Sequence, residues 1–247
     1  MKTLKKTIAI LLLIFTASCS KDDEVTSVPN PEPLVTDLNY SNGNLSTGPT
    51  SSNGTAAPAG YTWSEMQLDS SSYGFPAYGN IFIADDFVVP VGEKWTINKF
   101  IFFAYQNNFV GTICPIIDLK YAIYNSNPSS AGSTVIFGNF STNKFAAAED
   151  SKIYRIYKGS PNSIRKIYKI TASATDLVLS PGTYWIRWQS INNDNTAHYY
   201  PQNTTLNSNG LASYNAIHQE QGTWSVLVDG VNKVDFPFGI VGTKIKI

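Results

Sequence analysis

The chain has 247 residues, 43% of them hydrophobic and 15% charged, which excludes an intrinsically disordered protein and leaves room for one large domain or two small ones. Eighteen basic and eighteen acidic side chains cancel, so the basic footprint of a nucleic-acid binder is missing and nucleic acid is not an expected partner. Aromatic residues reach 13% while methionine occurs twice, a composition of secreted β proteins rather than of helical enzymes.

In chain order, the first element is a targeting segment. Lys2, Lys5 and Lys6 precede the apolar run Ile8 to Phe15, and the small residues Thr16, Ala17 and Ser18 follow. That is the layout of a signal peptide over residues 1–18, too short to span a bilayer as a helix. Thr16-Ala17-Ser18-Cys19 resembles the lipobox of bacterial lipoproteins, with Thr16 where that family usually has Leu, a substitution that Bacteroidetes lipoproteins tolerate. The resemblance implies acylation of Cys19, with palmitate among the chains, and an outer-membrane lipid anchor. Two or three acyl chains hold a protein stably where one does so marginally. Ser20-Lys21-Asp22-Asp23-Glu24 resembles the acidic export signal of Bacteroidetes surface lipoproteins, which implies display on the cell exterior; a merely solvated charge cluster is the other reading. Removing Lys2, Lys5 and Lys6 from eighteen basic residues leaves fifteen against eighteen acidic ones, a net charge near −3.

Residues 19–60 are rich in Pro, Ser, Thr, Asn and Gly, and read as a lipidated cysteine followed by a flexible tether. The folded domain is expected over residues 61–247. Within it, apolar runs of strand length alternate with turn chemistry such as Asn125-Ser-Asn-Pro128, Ser180-Pro-Gly182 and Asp229-Gly230. Candidate strands are 81–89, 95–105, 116–124, 134–137, 152–158, 164–171, 176–179, 183–189, 198–200, 213–218, 223–228 and 236–240. About a dozen strands with no helical crossovers predict an all-β fold, a single antiparallel β-sandwich or jelly roll.

Alternation predicts faces. Tyr184, Ile186 and Trp188 are expected in the core, with Thr183, Trp185, Arg187 and Gln189 on the opposite face. Ile117, Leu119, Tyr121 and Ile123 are expected to point inward, as are Trp224, Val226 and Val228. Phe100 to Tyr105 is apolar on both sides, as suits a central strand.

Chemistry is sparse. The sequence carries no nucleophile elbow, no zinc-type Cys/His spacing and no phosphate-binding glycine loop. His198 and His218 can in principle pair with serines, but nothing places a nucleophile, and they read as strand residues. Cys114, left without a partner once Cys19 is acylated, sits among apolar residues and reads as a buried, inert thiol. No cofactor is required. Structural calcium has one candidate site: Asp85 and Asp86 near the start of the domain and Asp235 near its end, where first and last strands of a sandwich are often neighbours. Adjacent on one strand, Asp85 and Asp86 face opposite ways, so at most one would bind without a bulge; plain strand-end hydrogen bonding is the other reading.

The most suggestive feature is aromatic. Trp185 and Arg187 share a polar face, and His198, Tyr199, Tyr200 and Gln202 mix rings with an amide. Sugars stack on such rings while amides and guanidinium groups take their hydroxyls. Burial of the rings and an Arg187–Trp185 stack is the competing reading. The segments Ile83–Pro90, Trp95–Phe100 and Pro181–Gln189 resemble an uncharacterised β-sandwich module of exported bacterial proteins, similar in general shape to jelly-roll carbohydrate-binding modules. The expected function is a non-catalytic surface lipoprotein that binds polysaccharide. A protein-binding adhesin or outer-surface assembly component, and a glycoside hydrolase or other hydrolase without recognisable motif, are the alternatives.

Overall fold

The computed structural model describes residues 34–66, 70–194, 196–204 and 214–247. Cys19 and the acidic segment after it lie outside these residues. Sixteen strands are present among the described residues, and none of these residues is helical. The strands are β1 (Val35–Ser41), β2 (Thr62–Glu65), β3 (Phe75–Pro76), β4 (Ile81–Val89), β5 (Glu93–Gln106), β6 (Ile116–Tyr124), β7 (Val135–Asn139) and β8 (Phe145–Ile156). They continue with β9 (Lys166–Leu179), β10 (Gly182–Asn192), β11 (His198–Tyr200), β12 (Ile217–Glu220), β13 (Thr223–Val226), β14 (Val228–Asp229), β15 (Asn232–Lys233) and β16 (Gly239–Lys246).

Two sheets carry the fold. One runs β1-β16-β5-β9-β8-β2, with β11 pairing β5 and β3 beyond the main path; the other runs β13-β12-β4-β10-β6-β7. The chain is all-β and consistent with a sandwich, as the alternation of its strands predicts. Pairing is antiparallel with one exception, β2 alongside β8, which is parallel. Aromatic and branched side chains from the two inner faces meet between the sheets: Trp188 lies 5.3 Å from Phe102, and Tyr121 lies 5.1 Å from Phe100, edge to face. Interleaved rings of this kind supply the apolar burial that stabilises the fold.

Several expectations are corrected. The tether does not extend to Gly60: from residue 34 the chain is part of the domain. β1 pairs with β16 along its whole length and buries Leu38. Leu45 packs with Tyr105 and Ile167, on the side of β5 opposite the main core, so the segment read as a tether helps cover that face. Thr47 and Gly48 then bond the backbone of Trp63, and Glu65 accepts from the Ser52 amide at 2.7 Å. A short edge strand needs only one or two core-facing residues, so its polar composition concealed it.

The β6 reading slips at one residue. The register passes from Ile191 opposite Asp118 to Asn192 opposite Ile116, so Ile117 is bulged outward and half exposed while Ile116 is buried. Leu119, Tyr121 and Ile123 do face the core. At the other end of this sheet, Trp224 packs against the outer surface, and Val226 and Val228 are exposed, with Leu227 buried instead. Alternation assigns residues to a common face; it does not say which face is covered. Two candidate strands, 164–171 and 176–179, are one continuous β9, bent where Asp176 takes a left-handed φ of 67°.

Candidate ligand-binding face

The outward side chains of β10, β4, β6, β12 and β13 build the best candidate site. Trp185 and Arg187 point away from the core, as their alternation with Ile186 and Trp188 requires. Trp185 is not an exposed platform, however. It is 5% accessible and forms the floor of a small cluster with Ala84 and Ile217, covered in part by Tyr124 and Trp224.

Arg187 stands above that floor in an aromatic surround. Its guanidinium carbon lies 3.9 Å from the ring centroid of Phe82, 4.5 Å from Phe140 and 5.3 Å from Trp224. Phe82 and Phe140 meet edge to face at 4.9 Å. The guanidinium donates to the Tyr124 hydroxyl at 3.2 Å and to Gln219 Oε1 at 2.5 Å, and its Nε is without a partner. Among the described residues no carboxylate forms an ion pair with it. Phe82, Tyr124, Phe140, Trp224 and Gln219 are all partly exposed. A face results on which rings present flat apolar area beside amide and guanidinium groups, a combination suited to pyranose rings and their hydroxyls. Of these residues the sequence reading had only Arg187. The others come from separate strands and a loop, and the alternation Phe82-Ala84-Asp86, opposite Ile83-Asp85-Phe87, was the one local signal of an outward Phe82.

The second half of the predicted aromatic set is interior. His198, Tyr200 and Gln202 are 1%, 2% and 0% accessible, so they are no exposed ligand surface; Tyr199 is half-buried and stacks on Tyr105 at 5.8 Å. Gln202 braces the loop carrying Ser70 and Ser72, donating to Ser72 O at 2.7 Å and to Asp229 Oδ2 at 2.5 Å. Both histidines do pair with serines: His198 Nε2 lies 2.6 Å from Ser190 Oγ, and His218 Nε2 lies 2.5 Å from Ser225 Oγ. Burial depresses the His198 ring to about 4, which leaves it a poor base at neutral pH. Cys114 is a buried free thiol, pushed up to about 11 by burial.

Asp85, Asp86 and Asp235 converge as expected, near a cavity of about 380 Å³ that Tyr40, Asn42, Asp86, Asn203 and Asp235 help line. Asp85 and Asp235 accept from N–H donors. Asp85 accepts from Asn42 Nδ2 at 3.0 Å and from the amides of Phe236 at 2.8 Å and Asp86 at 2.9 Å. Asp235 accepts from the Asn215 amide at 2.8 Å. Burial, then the charge of Asp235, pushes the Asp85 carboxyl well above the usual range, and burial raises Asp235 to about 7. Among the described residues no group of three or more Asp, Glu, His or Cys side chains is arranged to hold a metal ion, so the calcium reading of this trio is not supported. N–H donors aimed at a carboxylate occupy the lone pairs a cation would need.

No family model, no curated protein and no solved structure matches this chain. The functional reading therefore rests on the residues themselves.

Proposed function

We propose that this protein is a cell-surface lipoprotein, anchored in the outer membrane through acylated Cys19, whose β-sandwich binds glycans without catalysis on the outer face of its six-stranded sheet. The observation that carries the reading is the partly exposed aromatic surround of Arg187, in which Phe82, Phe140 and Trp224 flank a guanidinium with no ion-pair partner among the described residues. Ring stacking supplies affinity there, and the guanidinium, Gln219 and the Tyr124 hydroxyl supply direction. The anchor is supported by the charged, apolar and small-residue order before Cys19, and surface display by Asp22, Asp23 and Glu24 after it.

A glycan array probed with the full chain carrying Cys19→Ser tests the binding. Specific binding is expected, and Trp224→Ala is expected to weaken it about fivefold with the fold intact, since one aromatic contact is worth about 1 kcal/mol. Binding that survives Trp224→Ala and Phe82→Ala together would place the ligand elsewhere. Metabolic labelling with palmitate, lost in Cys19→Ser, tests the anchor, and protease shaving of intact cells tests the display.

A further inference from the structure

We infer that β13, the outer strand of the six-stranded sheet, pairs with β13 of a second copy of this chain, so that two glycan-binding faces join into one. The joined face rests on the reading of the sheet as a glycan surface; the pairing rests on the strand alone. Among the described residues the two sheets end in four edge strands, β1 and β2 in one, β13 and β7 in the other. An open edge offers unpaired N–H and C=O groups to any strand, and proteins blunt it with charge, bulges or cover. Three of these edges are blunted. β1 carries Asp37. The free side of β2 is covered, since the Thr47 amide donates to Trp63 O at 2.7 Å and the Trp63 amide to Gly48 O at 2.8 Å. β7 is interrupted by a bulge at Ile136, between Phe137 opposite Ile123 and Val135 opposite Tyr124, and by the left-handed φ of 77° at Gly138. β13 has none of these devices. Thr223-Trp-Ser-Val226 lacks charge, proline and glycine, pairs β12 in unbroken register, and leaves Thr223, Ser225 and Val226 exposed.

The direction of its main-chain groups fixes the register. Gln221 and Gly222 make a tight turn between Glu220 and Thr223, and past the other end of β13 the Leu227 amide donates to Ala216 O at 2.9 Å. Thr223, Ser225 and Leu227 thus bond towards β12, and by alternation the N–H and C=O groups of Trp224 and Val226 point to the free edge. A copy turned about a two-fold axis at Ser225 sets Trp224 opposite the partner's Val226 and Val226 opposite the partner's Trp224, each pair exchanging both main-chain hydrogen bonds. On the outer face each indole then packs on a branched apolar side chain, a favourable cross-strand pair, and Val226, 52% exposed in the single copy, is covered. No like charges meet, because β13 has none. The contact is isologous and closes at two copies. So short an edge falls below the roughly 1,200 Å² of total buried area typical of stable interfaces, which makes the pairing weak and reversible. The axis stands normal to the sheet, so both outer faces look the same way. Their Arg187 side chains stand about 34 Å apart, seven strand spacings of about 4.8 Å. A polysaccharide long enough to reach both gains avidity that a short oligosaccharide does not.

The test is a disulfide at the axis, in the full chain carrying Cys19→Ser. Ser225 and the partner's Ser225 form a pair without main-chain hydrogen bonds, whose Cα atoms lie about 4.5 Å apart, within disulfide range. Cys114 is buried and does not compete. On mild oxidation Ser225→Cys is expected to give a covalent dimer, and Thr223→Cys to stay monomeric, because its two copies lie apart on either side of the axis. By sedimentation velocity the chain with Ser225 is expected to be monomeric at about 10 μM and increasingly dimeric towards about 1 mM. Ser225→Lys, which sets two ammonium groups face to face, is expected to abolish the dimer, with circular dichroism confirming its fold. On immobilised polysaccharide the disulfide-linked dimer should dissociate at least about tenfold more slowly than Ser225→Lys, while the two bind a short oligosaccharide equally. If Ser225→Cys does not cross-link, or Thr223→Cys cross-links as readily, the pairing inference falls and the binding face stands. A specific cross-link in a protein that binds no glycan keeps the pairing and overturns the joined glycan face.

Discussion

Two polar clusters in this protein invite opposite conclusions. Around Arg187 the guanidinium spends its bonds on two neutral side chains, lies against rings that remain partly open, and keeps an Nε without a partner. Around Asp85 both carboxylate oxygens are taken, by three N–H donors from separate segments. A carboxylate buried under its donors serves the fold, and a guanidinium set among partly exposed rings and neutral polar groups is available to a ligand.

The largest expected effect separates the two. Asp85→Ala strands three donors in the interior and should cost about 3 kcal/mol, roughly 10 °C in melting temperature, without altering glycan affinity of the folded fraction. A melting curve unchanged by this substitution would remove the structural role assigned to the carboxyl pair.

The same pair predicts a pH signature. Asp235 has a native pKa near 7 against an ordinary value of 3.8, so the native state binds more protons than the unfolded chain between those values. Stability from this group is full below the ordinary value and is lost as pH rises through about 7, at up to about 1.4 kcal/mol per pH unit. His198 runs the other way. Held near 4 against 6.5, it contributes stability that is present above 6.5 and lost as pH falls towards 4. Asp235→Asn should therefore remove the decline between about pH 4 and 7 and leave the opposing His198 slope over the same range, as read by denaturant unfolding across the pH range.

Arg187→Lys sharpens the comparison from the other side. A point charge cannot stack on Phe82 and reach both Tyr124 and Gln219, so glycan affinity should fall about fivefold and stability by about 1 kcal/mol, checked by calorimetry and thermal melting. Smallest of all, Cys114 should leave thiol reagents unreacted in the native state and react on unfolding, because burial holds it as the thiol.

How far residues alone carried these conclusions varies with the range of the interaction. The inward set Leu119, Tyr121 and Ile123, and the division of Trp185 and Arg187 from Ile186 and Trp188, follow from a two-residue repeat and were legible. The edge strand β1 was not, because its partner β16 lies some two hundred residues away and its own composition is that of a linker. The outward turn of Ile117 was equally hidden, since a bulge depends on the register of the neighbouring strand. Convergence of Asp85 with Asp235 was anticipated from strand order. What those carboxylates do was not, because it depends on Asn42, Asn215 and the Phe236 amide arriving from separate segments.

The sequence by itself determined that the domain is all-β and which residues share a face along most of its strands, because composition and alternation act locally. Only the tertiary structure decided which faces are covered, that Trp185 is floor and Arg187 its surround's centre, and that His198 and Tyr200 lie inside. Burial is a property of what packs above a residue, and that neighbour is supplied by chain folding rather than by chain order.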